Sequence, residues 1–159
     1  MEQMNPVRAS MQYFRERFAC APSILAAFGE AEGLPKETAF KIACGLAAGC
    51  ARTGQTCGAV TGAYLVLGLK YGKAVVGDDE AKEHTFSLVR EFNERFLKQY
   101  PSINCTELLG VDMGTAEGLR KAREEKIIEN ICPYIVKFTA EILYDIIKEE
   151  SGGDDDGTN

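Results

Sequence analysis

Six cysteines, at positions 20, 44, 50, 57, 105 and 132, offer the richest chemistry in this chain. A thiolate can attack an electrophile, exchange with a disulfide or bind a soft metal ion, and its surroundings decide which. No C-x-x-C pair is present, so local spacing indicates neither a zinc ribbon nor a thioredoxin-type site. Cys50 and Cys57 are separated by six residues, and any four-thiolate site has to be assembled by tertiary structure. The single histidine, His84, lies among charges in "EAKEHTF" and reads as a solvated helix residue. That leaves no base for cysteine-dependent acyl transfer.

The elements that must position these thiols are helices. Apolar residues recur at three- and four-residue steps almost throughout, with no sustained alternation of the kind a strand needs. The expected fold is all-α, a compact bundle of about six to seven helices. Helices are expected at about 6–18, 21–32, from Pro35 to near Gly49, 57–71, from the acidic turn "GDDEAKE" to about Tyr100, 115–130 and 133–149, with a short helical turn at "TELLG". The segment 57–71 is apolar on nearly every side, the pattern of a central helix.

Over this map, four cysteines precede helices: "CAPSIL" at Cys20, "CGAVTG" at Cys57, "CTELLG" at Cys105 and "CPYIVK" at Cys132. Pro22 and Pro133 suit a first helical turn. Unpaired N–H groups and the positive end of the helix dipole there are expected to favour thiolate and lower the thiol pKa. Cys44 falls mid-helix and reads as a small core hydrophobe. Cys50 lies in the glycine-rich loop and stays open as an additional thiol. Arg52, between Cys50 and Cys57, either lowers a thiolate pKa or stands solvated in the loop. Gly49, Gly54, Gly58 and Gly62 favour close helix approach over phosphate binding, because no strand precedes them and no Lys-Ser/Thr pair follows.

Composition narrows the classes. The chain has 159 residues, 45% hydrophobic and 26% charged, with a net charge of -6. It is long enough for one domain with a real core, expected over 1–150, followed by an acidic tail "SGGDDDGTN" over 151–159 that has nothing to bury. No basic stripe is available to neutralise phosphates, so no nucleic-acid partner is expected. The uncharged run Thr53 to Leu69 is short of the roughly 20 apolar residues a span requires, so no membrane insertion is expected. The N-terminus lacks the features of a secretory signal, which points to the cytoplasm. A reducing compartment favours metal-binding or catalytic cysteines over a permanent disulfide framework.

The same cysteines carry a resemblance. The element Cys57-Gly58-Ala59-Val60-Thr61-Gly62, with Cys20 before it and Cys105 and Cys132 after it, resembles the C_GCAxxG_C_C family of redox-active proteins. The flanks "VLGLKYG" and "GVDMGTAEGLRKARE" fit as well, so the likeness extends from about Met11 to Ile147. Gly49-Cys50-Ala51-Arg52-Thr53-Gly54 also matches the name literally, but the neighbours of the later element continue the family pattern. Cys50 and Cys44 are then extra thiols.

What the resemblance implies is a redox role, and related modules look able to hold an iron-sulfur centre. The first reading is then an electron-transfer or redox-sensing protein in which Cys20, Cys57, Cys105 and Cys132 ligate a cluster of the 2Fe-2S type, with zinc on the same thiolates as a variant and a redox partner protein of unknown identity. The alternatives are a thiol-disulfide protein that uses no metal, with Cys50 and Cys57 as the easiest pair, and a helical interaction module whose cysteines are packed. Whether the chain acts as an enzyme and whether it forms a homo-oligomer are left open by the sequence.

Overall fold

The computed structural model describes residues 3–152. It contains eight right-handed α-helices: α1 (Pro6–Arg15), α2 (Cys20–Gly29), α3 (Lys36–Ala43), α4 (Gly58–Tyr71), α5 (Asp79–Leu97), α6 (Cys105–Leu109), α7 (Ala116–Glu124) and α8 (Ile127–Gly152). Among the described residues there is no strand, only one isolated antiparallel bridge between Thr56 and Asn104. The all-α expectation is met.

Three helix starts follow directly from sequence. The Asn5 side chain accepts from the Val7 N–H at 2.9 Å, with Pro6 in the first turn of α1. Asp78 accepts from Ala81 N–H at 3.1 Å and Thr115 from Gly118 N–H at 3.0 Å, opening α5 and α7. Each supplies an acceptor to an amide that the helix itself cannot satisfy.

α4 is the central helix, as its uniformly apolar sequence demands: Ala59, Val60, Ala63 and Leu67 are fully buried. α2 crosses it closely, and a β-carbon at Gly62 would lie only 3.0 Å from the Ala21 carbonyl oxygen and from Ile24 Cβ. Phe92 and Phe96 of α5, both at 0% exposure, close another side and stack on one another, and Phe96 also stacks on Tyr100. Burial of this kind contributes about 1.5–3 kcal/mol per large side chain. A smaller second cluster, with Cys105, Leu109, Val111, Met113 and Ala122 at its centre, is built by α6, α7 and the start of α8.

Two boundaries differ from expectation, and both move a cysteine. α3 ends at Ala43 and gives way to a 3-10 turn over Cys44–Leu46, so Cys44 is exposed and not a core residue. Its place on the inward face is taken by Ala39 and Ala43, both fully buried. The last helix begins at Ile127, after Lys126 breaks the chain with a φ of 52°, because Ile127, Ile128 and Ile131 pack against the second cluster. Cys132 therefore sits in the second turn of α8 and Pro133 is interior, not at a first turn.

The helix expected at 21–32 finishes as a 3-10 turn over Glu30–Glu32, with Gly33 left-handed at φ 78°. α8 continues through Gly152, with Ser151 Oγ donating to the Ile147 carbonyl at 2.9 Å. The rest of the acidic tail, 153–159, lies outside the described residues, as do residues 1–2. Among the described residues no helix is long and apolar enough to cross a membrane.

Candidate functional site

Cys20, Cys57, Cys105 and Cys132 line one cavity of about 700 Å³. The cavity is a seam: Cys20 and Cys57 belong to the main core on one side, Cys105 and Cys132 to the second cluster on the other. Tertiary structure thus brings together four thiols that lie up to 112 positions apart (132 − 20).

Each thiol is positioned differently. Cys20 is the first residue of α2, entered through Ala19 at φ 68°, and Cys57 is the residue that caps α4. Cys105 opens α6. The bridge between Thr56 and Asn104 ties the last two together: Cys57 N–H donates to the Ile103 carbonyl at 2.7 Å and Cys105 N–H to the Gln55 carbonyl at 2.8 Å. Those amides are therefore spent on backbone. Cys132 projects from inside α8.

The segment 48–52, expected as a flexible glycine-rich loop, is a left-handed turn. Ala48, Gly49, Cys50, Ala51 and Arg52 have φ of 56°, 66°, 59°, 58° and 66°. Each non-glycine residue in that region costs about 1–2 kcal/mol. Hydrogen bonds hold it: Thr53 Oγ1 donates to the Cys50 carbonyl at 2.8 Å, and Gln55 N–H to the Gly49 carbonyl at 3.1 Å. The turn presses Gly49 under α6, where a β-carbon would lie 2.5 Å from Cys105 Cβ, and it aims the Ala48 amide at the Cys20 sulfur.

The electrostatics reverse one expectation. Burial pushes the Cys57 thiol up to about 12 and Cys105 up to about 11, and it raises Cys20 and Cys132 as well. Helix amides do pull the other way, with Ala48, Ala21 and Gly58 aimed at Cys20, and Ala59 and Val60 at Cys57. Desolvation of a charged sulfur outweighs them. The sulfurs also repel one another as thiolates, which further raises Cys57, Cys105 and Cys132. At neutral pH the uncomplexed cavity therefore holds thiols.

The remaining candidates divide. Arg52 and Gly58 line the cavity. Gly58 abuts Cys20 Sγ, Gly54 lies against the Thr106 side chain, and Gly62 admits α2. Cys50 is half-buried and raises the Cys105 pKa, while Cys44 takes no part. Sequence reading missed Arg15, Arg17 and Arg123, which also line the cavity. No local motif marks them, because they come from α1, the link after it and α7.

Among the described residues, no three cysteine, histidine, aspartate or glutamate side chains are grouped so as to hold a single metal ion. A single zinc ion on these thiols would need the two walls to draw together. A 2Fe-2S cluster takes four thiolates divided over two irons. Two thiols on each wall meet that demand in number and in kind.

The family model described as "Putative redox-active protein (C_GCAxxG_C_C)" matches residues 18–146. The matched span contains all four cavity cysteines. No curated protein and no solved structure matches the chain.

Proposed function

The chain belongs to the C_GCAxxG_C_C family, and from that premise we propose that it is an electron-transfer or redox-sensing protein whose centre is held by Cys20, Cys57, Cys105 and Cys132. The observation that carries this is the convergence of those four thiols, from separate parts of the chain, on one cavity. The centre we propose is an iron-sulfur cluster of the 2Fe-2S type, which when bound supplies one-electron oxidation and reduction. The protein's part is to hold four thiolates, to exclude water with an apolar wall that includes Leu109, Ile135 and Val136, and to steady sulfur charge with the Ala48 and Gly58 amides at Cys20.

Raised thiol pKa values mean that a bound cation has to displace protons from these sulfurs. Thiolates that repel one another in a buried site are stabilised by a positive metal centre, and loading then releases protons. Thiol-disulfide exchange needs an attacking thiolate near neutral pH. Burial opposes one at Cys57 and Cys105, so that reading ranks second.

Iron, sulfide and zinc analysis with a visible spectrum, on protein purified without oxygen, tests the proposal. Stoichiometric iron and sulfide with absorption lost in Cys57→Ala is the expected result. Protein with no metal in any preparation would overturn it in favour of thiol-disulfide exchange.

A further inference from the structure

Four arginines and a single carboxylate, Glu129, are the charged residues lining the cavity. Arg15 and Arg17 come from the end of α1 and the link after it, Arg52 from the left-handed turn, and Arg123 from the last turn of α7. All four, like Glu129, are exposed while the thiols are buried or half-buried, so these charged residues stand at the mouth.

Most Lys and Arg residues of this chain make no ion pair among the described residues, so what sets these four apart is that they gather around one opening. The chain carries a net charge of -6, and several basic side chains have found carboxylates: Arg95 with Glu91 and Glu149, Arg120 with Glu124, Lys70 with Glu32. Among the described residues none of the four arginines at the mouth makes an ion pair or a side-chain hydrogen bond. Acidic side chains are plentiful in sequence, yet four unpaired positive charges face one opening. Behind them the wall is apolar, with Phe14, Leu108, Met113, Leu119 and Ile128.

We infer that this cavity binds a small amphiphilic organic anion, with its apolar body against that wall and its carboxylate, sulfonate or phosphate at the arginines. The volume of about 700 Å³ is that of a small-molecule site, in which an apolar lining supplies contact area and a few polar groups fix orientation. Arginine suits the role because its planar fork pairs with two acceptor oxygens at once. The binding does not rest on the preceding proposal.

The probe is 1-anilinonaphthalene-8-sulfonate, with uncharged N-phenyl-1-naphthylamine as its counterpart, titrated into full-length, reduced, metal-free protein. Arg17→Gln with Arg123→Gln removes two charges at the mouth and keeps the stems, and Arg90→Gln with Arg120→Gln removes two elsewhere. Expected are saturation at one sulfonate probe per chain, a dissociation constant raised about tenfold or more in the first double variant, and a change under about twofold in the second. The uncharged probe should bind the two variants alike. Unchanged sulfonate affinity in the first variant, equal losses in both, or no one-to-one saturation would overturn the inference.

Iron and sulfide analysis of the same variants keeps the two proposals separable. Probe binding without metal in any preparation defeats only the cluster. A normal cluster without arginine-dependent probe binding defeats only the anion site.

Discussion

Gly58 of α4 faces Cys20 of α2 so closely that a β-carbon at position 58 would overlap the Cys20 sulfur. The glycine in the Cys57-Gly58 pair is thus the space in which a second thiol sits. Gly58→Ala would also meet Ala47 Cα at 3.1 Å and the Leu46 carbonyl oxygen at 3.2 Å, both backbone atoms with little freedom to move. The expected cost is about 1–3 kcal/mol by denaturant unfolding. Adding Cys20→Ala should return part of that loss, so the double variant is less destabilised than the sum of the singles. Strict additivity would mean that the sulfur is not what the new methyl group strikes.

Raised thiol pKa values give the metal-free protein an alkaline limit. Below the ordinary thiol value of 9.0, folded and unfolded chains both carry neutral Cys57 and Cys105. Between about 9 and about 12 the unfolded chain releases protons that the folded chain retains. The unfolded state then binds fewer protons, so unfolding free energy falls as pH rises through this window. Denaturant midpoints from pH 8 to 11 should decline, with a shallower slope in Cys57→Ala. An unchanged slope in that variant would show that Cys57 is not buried as a thiol.

Much of this was legible in the sequence, and the rest failed for identifiable reasons. The four cavity cysteines stood out because three of them open or cap helices, which apolar periodicity and Pro22 mark from sequence alone. Cys132 was placed at a helix start because Pro133 resembles a first-turn proline. Packing of Ile127 and Ile128 on the second cluster extends α8 backwards past it. The direction of the pKa shifts was missed because helix amides can be read locally while desolvation depends on the whole cavity. The left-handed turn was missed because Ala48, Ala51 and Arg52 carry no sequence sign of positive φ, and the Thr53 and Gln55 hydrogen bonds that hold it leave no mark in apolar periodicity.

Thr139, in the middle of α8, is fully buried and its Oγ1 has no hydrogen-bond partner. Water would satisfy that hydroxyl in the unfolded chain, so burying it works against folding. Thr139→Val keeps the branched shape and removes the unmet polar group, and should raise unfolding free energy by about 1–2 kcal/mol. Thr139→Ser keeps the hydroxyl and deletes a methyl, and should lower it by about 1 kcal/mol. If valine destabilises the protein, Oγ1 has a partner in solution.

The left-handed turn makes opposite predictions for two small residues two positions apart. Ala51 is exposed at φ 58° and meets only backbone strain. Ala51→Gly removes about 1–2 kcal/mol of that strain and adds back part of it as unfolded-chain entropy, for a net gain of about 0.5–1 kcal/mol. Gly49 at φ 66° has the reverse problem, because alanine there adds strain and drives its β-carbon to 2.5 Å from Cys105 Cβ. Overpacking and strain together should cost about 2–4 kcal/mol. α6 carries Cys105, so a turn pushed away from α6 also separates one thiol from the other three. Gly49→Ala should therefore lower iron content per chain when prepared without oxygen, whereas Ala51→Gly leaves it unchanged. Equal iron in both variants would show that the turn braces the fold without setting the position of Cys105.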